Sequence, residues 1–262
     1  MQRTSPGELK DRVSAGEHVV GTFLNLGSPL ATEICSTAGL DWLLLDLEHG
    51  AGPEADLLAH LQATGNGSAS LVVRVESNDR PRFARALDIG AAGVMVPRVE
   101  TAEEAATAVS YMQYPPAGTR GVALMTRAAR FGVEGYDPIH RSASQLLGVI
   151  QIENERAVAN VDAIAAVPGV DVLFVGPSDL TFSMAIPGQT RDPRYLDALD
   201  KVCAAAGRHH KAAGILLRGI QELDSHISLG FTFIGLSSDS GVLAAGMREL
   251  AAGFRLAAKS SA

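Results

Sequence analysis

The stretch Asp41-Trp42-Leu43-Leu44-Leu45-Asp46-Leu47-Glu48-His49 decides the reading of this chain, because an apolar β-run passes directly into groups that bind metals or move protons. A strand apolar enough to be covered on both faces ends in Asp46, Glu48 and His49 only where its tip opens into a site. The device recurs. Leu146 to Glu153 closes on Gln151 and Glu153, Ser70 to Glu76 closes on Arg74 and Glu76, and Val170 to Asp179 closes on Gly176-Pro177-Ser178-Asp179.

Working outward, eight β-rich runs are spaced along the chain at 18–26, 42–49, 70–76, 93–98, 146–153, 170–176, 214–218 and 231–237. Segments at 53–64, 80–89, 101–112, 155–166, 193–212 and 220–229 have helix-favouring composition and spacing. Strands alternating with helices indicate a parallel sheet, and eight such units predict an α/β fold of the (β/α)8 TIM-barrel kind. Pro53, Pro81 and Pro193 stand near helix starts, and Gly90, Gly169 and Gly230 follow helix ends. No linker, repeat or low-complexity tract divides the chain, so residues 1–262 are expected to form a single barrel domain.

The longest connection, Gln113 to Ser144, carries Arg127, Arg130 and Phe131 and is expected to cover the active site. Gly241 to Ala258 reads as an amphipathic closing helix. It packs either on its own barrel or on a neighbouring subunit, and the sequence leaves both open.

Composition narrows the classes. With 262 residues, 47% of them hydrophobic, the chain can bury one large core, and α/β barrels commonly reach this length undivided. A net charge of -7 without a basic run argues against a nucleic-acid partner. The N-terminal segment lacks the apolar run of a signal peptide and no stretch is long enough to span a bilayer, so no membrane association and a cytoplasmic location are expected. Cys35 and Cys203 are isolated and read as small buried hydrophobes.

Side chains alternate along a strand, so Gln151 and Glu153 share one side, as do Asp46 and Glu48. Glu153 and Asp179 end consecutive runs, which are neighbours in a parallel barrel. Two such carboxylates suit a hard divalent cation, Mg2+ first, with Mn2+ or Co2+ able to replace it. The other reading is that both merely cap helices.

His49 has the chemistry of a proton carrier, and its neighbours Asp46 and Glu48 favour that role over a structural one. His18, His60, His140, His209, His210 and His226 lack such a grouping and read as surface or packing residues. Arg74 ends an apolar run and needs an anionic partner, either Glu76 or Asp46 or a substrate carboxylate or enolate. The turn at Gly176–Asp179 offers the Ser178 and Asp179 amides to a carboxylate. No glycine-rich dinucleotide loop, phosphate loop or serine elbow is present. Lys10, Lys201, Lys211 and Lys259 all fall outside the proposed strands, which leaves Schiff-base chemistry without a candidate.

These motifs, in this order, resemble the HpcH/HpaI aldolase family of metal-dependent, class II pyruvate aldolases. The resemblance spans roughly residues 8–255 and rests on Asp-Trp-x-x-x-Asp-x-Glu-His at 41–49, Val-Val-Arg at 72–74, and Leu-Asp-x-Gly at 87–90. It continues through Tyr-Pro-Pro-x-Gly-x-Arg-Gly at 114–121, Gln-Ile-Glu at 151–153 and Gly-Pro-x-Asp-Leu at 176–180. It implies a barrel of the phosphoenolpyruvate/pyruvate type whose last helix is exchanged with a neighbour, commonly within a hexamer.

It further implies that Glu153 and Asp179 bind the metal, with Asp46 nearby through water. His49 would be the acid/base, oriented by Asp88; Arg74 would face the pyruvyl oxygen, with Gln151, Ser178 and Asp179 also at the substrate. The implied reaction is reversible cleavage of a 4-hydroxy-2-oxo acid to pyruvate and an aldehyde through a metal-bound enolate. Oxaloacetate decarboxylation, a macrophomate synthase-like bond formation and a non-catalytic metal-binding barrel are the rival readings. Arg218 and Phe131-Gly132 depart from the resemblance and bear on the aldehyde side.

Overall fold

Alternation along each strand sorts this chain into an inside and an outside. In the computed structural model, which describes residues 6–133, 135–136 and 143–260, eight parallel strands close in chain order into one barrel. They are β1 (Val19–Leu24), β2 (Trp42–Asp46), β3 (Ser70–Arg74), β4 (Gly93–Val96), β5 (Leu147–Ile152), β6 (Val172–Val175), β7 (Ala212–Leu217) and β8 (Phe231–Ser238).

The helices are α1 (Pro6–Ser14), α2 (Pro29–Ser36), α3 (Leu57–Ala63), α4 (Arg80–Ile89), α5 (Ala102–Met112), α6 (Glu155–Ala159) and α7 (Val161–Ala165). Beyond these come α8 (Pro177–Ser183), α9 (Pro193–Arg208), α10 (Leu223–Leu229) and α11 (Asp239–Ser260). Among the described residues, no helix is long and apolar enough to cross a membrane.

Outward-pointing Leu43, Leu45, Leu71, Val73, Ile150 and Leu173 join the helices in the larger apolar cluster. Inward-pointing Phe23, Trp42, Leu44, Val72, Met95, Val149, Phe174 and Phe233 fill the barrel, and Leu9 and Val13 of α1 join them. Lys10 of α1 reaches Asp171 and the carbonyl of Leu146, both at strand starts, which places α1 across the N-terminal end of the barrel. Trp42 stacks on Phe233 with ring centroids 4.4 Å apart. This packing depends on Gly21, where an added Cβ would lie 2.1 Å from the Trp42 ring.

Local chemistry sets the boundaries. Thr101 and Glu104 form a reciprocal capping box at the start of α5. Gly90, with φ 105°, ends α4 in the left-handed conformation that glycine adopts without a Cβ penalty.

Several expectations require correction. The helix expected over 193–212 stops at Arg208, His210 adopts φ 53°, and β7 begins at Ala212 instead of 214. The helix expected over 155–166 is broken at Asn160 into α6 and α7.

The connection after Gln113 follows a helix and leads into β5, so it belongs to the N-terminal end of the barrel and does not cover the strand tips. Arg127 donates to the carbonyl of Ile89 at 3.1 Å and the Ala128 amide to that of Asp88 at 3.0 Å, both at the far end of α4. Residues 134 and 137–142 of that connection lie outside the described residues. The closing helix, α11, is tied to its own barrel at its first residue, where Asp239 accepts from the Asn25 and Leu26 amides, but Val242, Leu243, Met247, Leu250, Phe254 and Leu256 further along it are all exposed.

Gly21→Ala is expected to destabilise the barrel by about 1–3 kcal/mol or more through overpacking against Trp42. A urea-unfolding midpoint equal to that of the wild type would contradict the packing described.

Candidate active site

The inward parity that fills the barrel with apolar rings continues to the strand tips, where the same positions become polar. Above Trp42 and Leu44 comes Asp46, above Val72 comes Arg74, and above Val149 come Gln151 and Glu153. Register places Asp46 directly across from Arg74.

Arg74 is 7% exposed, so its charge needs compensation. Its Nε donates to Asp46 Oδ1 at 2.9 Å and its Nη2 to Asp46 Oδ2 at 2.6 Å, a two-point grip. The guanidinium also lies over Phe23, 5.4 Å from the ring centroid.

Asp46 is occupied on every side. Besides Arg74 it accepts from Asn25 Nδ2 at 2.7 Å and from the backbone amides of Glu48 and His49, each at 3.1 Å. Burial alone would push this carboxyl up; the Arg74 hydrogen bonds and charge, with the two amides, outweigh burial and hold its pKa below the ordinary value.

A second set of contacts runs from Arg74 to Glu153. Arg74 Nη1 donates to Gln151 Oε1 at 3.4 Å, and Gln151 Nε2 donates to Glu153 Oε2 at 2.6 Å. The other oxygen of Glu153 accepts the backbone N–H of Arg98 at 2.6 Å. Burial raises the Glu153 pKa to about 7; the like charges of Asp179 and Glu48 add to the rise, and the Arg98 amide and Arg74 oppose it.

Gly176 makes room beside this carboxylate: a Cβ there would sit 3.0 Å from Glu153 Oε2 and 3.3 Å from Gln151 Nε2. Asp179 and Ser178 occupy the first turn of α8, immediately beyond, and both are exposed. A buried carboxylate whose ionisation is opposed by a second carboxylate fits a divalent cation, which would neutralise both. Among the described residues no three His, Cys, Asp or Glu side chains converge as a preformed cage, so the remaining ligands would be water and substrate oxygens.

The sequence had placed Asp46, Arg74, Gln151, Glu153 and Asp179 in the site, and the fold draws them together. His49 lies at the rim with its side chain 63% exposed and Nε2 3.9 Å from Glu48 Oε2. Asp88 is not brought to it. The last turn of α4 returns to the N-terminal end of the barrel, where Asp88 accepts from Arg120 Nη2 at 2.9 Å. Within one chain, therefore, the pairing of Asp88 with His49 is not made.

Two residues left unassigned by the sequence, Asn25 and Arg98, stand in the site beside Glu48. Glu48 was visible in the opening motif; Asn25 and Arg98 follow β1 and β4, and their strand-tip positions were the available signal. Cys35 and Cys203 are unpaired, and burial raises both thiols, that of Cys203 to about 12, as suits packing residues.

The family profile described as HpcH/HpaI aldolase/citrate lyase matches residues 20–245, and the chain belongs to that family. It is an enzyme of the lyase class, built on the aldolase barrel. A 5-keto-4-deoxy-D-glucarate aldolase of Salmonella arizonae is 39% identical over 250 residues, covering 95% of this chain and 97% of its own. The solved structure of an HpcH/HpaI aldolase/citrate lyase family protein from Burkholderia cenocepacia superposes with a TM-score of 0.91 at 36% identity, covering 95% of this chain and 99% of that one. That of macrophomate synthase superposes with a TM-score of 0.85 at 28% identity, covering 97% and 90% of the two chains.

The raised Glu153 pKa has a sign that can be checked. Protonated Glu153 favours the fold, so its contribution is fully present below the ordinary value of 4.5 and is lost as pH rises through about 7. In chelator-treated protein, the stability of Glu153→Gln relative to wild type is expected to rise by about 2–3 kcal/mol between about pH 5 and about pH 8. Urea unfolding at both pH values measures it, and a difference independent of pH would refute the raised pKa.

Proposed function

We propose that this enzyme cleaves a 4-hydroxy-2-oxo acid to pyruvate and an aldehyde, and catalyses the reverse addition, in the cytoplasm. The observation that carries the reading is the continuous contact from Asp46 through Arg74 and Gln151 to Glu153, which sets a fixed guanidinium near the Glu153 carboxylate. Relatives named 5-keto-4-deoxy-D-glucarate aldolase support it.

Glu153 and Asp179 would hold a divalent cation, Mg2+ in the first place, with Mn2+ or Co2+ as replacements. When bound, the cation supplies Lewis-acid charge that favours enolate formation from the 2-oxo acid. Arg74, locked by Asp46, stabilises the negative charge that grows on the C2 oxygen as the C3–C4 bond breaks. Its rigidity matters, because a pre-aimed donor spends no free energy on reorientation during the reaction. Gln151 keeps Arg74 and Glu153 in register, and the Ser178 and Asp179 amides are offered to the substrate carboxylate.

His49 takes the C4 hydroxyl proton in cleavage and returns it in addition. Asp46 already accepts five hydrogen bonds, so we assign it the holding of Arg74 in preference to a water bridge to the cation. Asp88 can serve His49 only if a second copy of the chain brings its own Asp88 to the site.

The bare face of α11 supports such a second copy. Leu243, Met247, Leu250 and Phe254 recur at helical spacing on one side and are 55–75% exposed. We propose that α11 packs on a neighbouring copy within a homo-oligomer, a hexamer by resemblance. The double variant Leu250→Glu, Phe254→Glu is expected to lower the light-scattering mass toward one chain; an unchanged mass counts against the exchange.

The similarity to macrophomate synthase keeps a second reading in play, another reaction of a pyruvate enolate such as oxaloacetate decarboxylation. Pyruvate release from a panel of 4-hydroxy-2-oxo acids, run beside oxaloacetate, separates the two. Chelation is expected to abolish turnover and Mg2+, Mn2+ or Co2+ to restore it, while borohydride with pyruvate traps no adduct. A lysine–pyruvate adduct would overturn the class II assignment.

A further inference from the structure

A second guanidinium reaches the site from β4. Arg98 has φ 56°, a left-handed conformation that non-glycine residues hold where the surroundings demand it. The demand is identifiable here, since its N–H is the donor to Glu153 Oε1. The backbone is thereby fixed against the candidate cation carboxylate, and the side chain leaves from the edge of the site. Its Nη2 lies 3.2 Å from Glu48 Oε1 and donates to the carbonyl of Glu76 at 2.9 Å. Among the described residues, its Nε and Nη1 have no partner.

Arg74, Glu48 and Arg98 form a gradient of depth, with side chains 8%, 10% and 67% exposed. Glu48 touches both guanidiniums, 3.3 Å from Arg74 Nη1, and stands beside His49. A substrate with its pyruvyl oxygen at Arg74 and its C4 hydroxyl at His49 therefore extends its remaining carbons outward, along Glu48, toward Arg98. Glu48, Glu76 and Glu153 would repel an anionic tail on that path. Arg82 is committed to Glu54 and Glu76, whereas Arg98 has donors to spare.

Resting on the aldolase reading above, we propose that Arg98 is a specificity-determining residue. It binds a carboxylate on the half of the substrate released as aldehyde, so that 4-hydroxy-2-oxo diacids are cleaved in preference to monoacids. The contact is a charge-assisted hydrogen bond made at the rim, which acts mainly on substrate binding and not on the bond-breaking step.

The test compares 4-hydroxy-2-oxohexanedioate with 4-hydroxy-2-oxohexanoate, with Mg2+ present, in the wild type, Arg98→Met and Arg98→Lys. The wild type is expected to favour the diacid in kcat/KM by about tenfold or more. Arg98→Met should bring that ratio close to one, chiefly through KM for the diacid, and Arg98→Lys should retain part of it. Equal losses on both acids, or a ratio that survives Arg98→Met, overturns the proposal.

A calorimetric arm measures binding of 2-oxohexanedioate against 2-oxohexanoate in the same proteins and needs no turnover. Should the wild type cleave neither hydroxy acid, the aldolase reading falls while this arm still decides Arg98. A diacid preference that disappears in Arg98→Met supports the carboxylate contact, and one that persists refutes it.

Discussion

The structure turns on one buried ion pair, Arg74 with Asp46. A guanidinium at the mouth of an apolar barrel is costly unless a carboxylate meets it with matched geometry and the remaining lone pairs are filled. Both conditions hold: the grip is two-pointed, and Asn25 with two backbone amides completes the carboxylate. Removing either partner alone would leave a buried charge, at a cost of about 3–5 kcal/mol. The pair therefore fixes the ends of β1, β2 and β3 relative to one another, and the site inherits that rigidity.

From this pair the polar contacts spread in two directions with different electrostatics. Toward β5, they end at Glu153, whose charge the protein alone compensates poorly, as its raised pKa reports. Toward the rim they pass through Glu48 to Arg98 and His49, where solvent screens the charges and the side chains remain free to meet a ligand. The deep end is thus built for a fixed, charge-accumulating fragment, and the rim for a fragment that varies.

An aromatic floor closes the barrel beneath the deep end. Phe23, Trp42, Phe174 and Phe233 fill the barrel below Arg74, and at Gly21, Gly176 and Gly214 the backbone yields to ring or carboxylate. α1 plugs the opposite end with Leu9 and Val13. Function is left to the upper surface, where the strand tips lie, while the connection after α5 packs against the far end of α4 and α11 leaves an apolar face bare.

What the sequence determined by itself was the barrel, the strand tips and the polar set at them, because period-two alternation in an apolar run fixes which side chains point inward. Asp46, Arg74, Gln151 and Glu153 were legible for that reason, and Asp179 from the turn it follows. Tertiary structure decided the rest. Only closure of the barrel showed that Asp88 and the segment after Gln113 belong to the opposite end, since a helix reverses direction and a residue in its last turn lands far from one at its start. Only the packed site showed that Arg98 shares Glu153 and Glu48, a contact made across 55 positions of sequence that no local pattern encodes. The stop of α9 at Arg208 and the bare apolar face of α11 were likewise outside the reach of spacing, because left-handed backbone at His210 and the exposure of that face are set by neighbours in space.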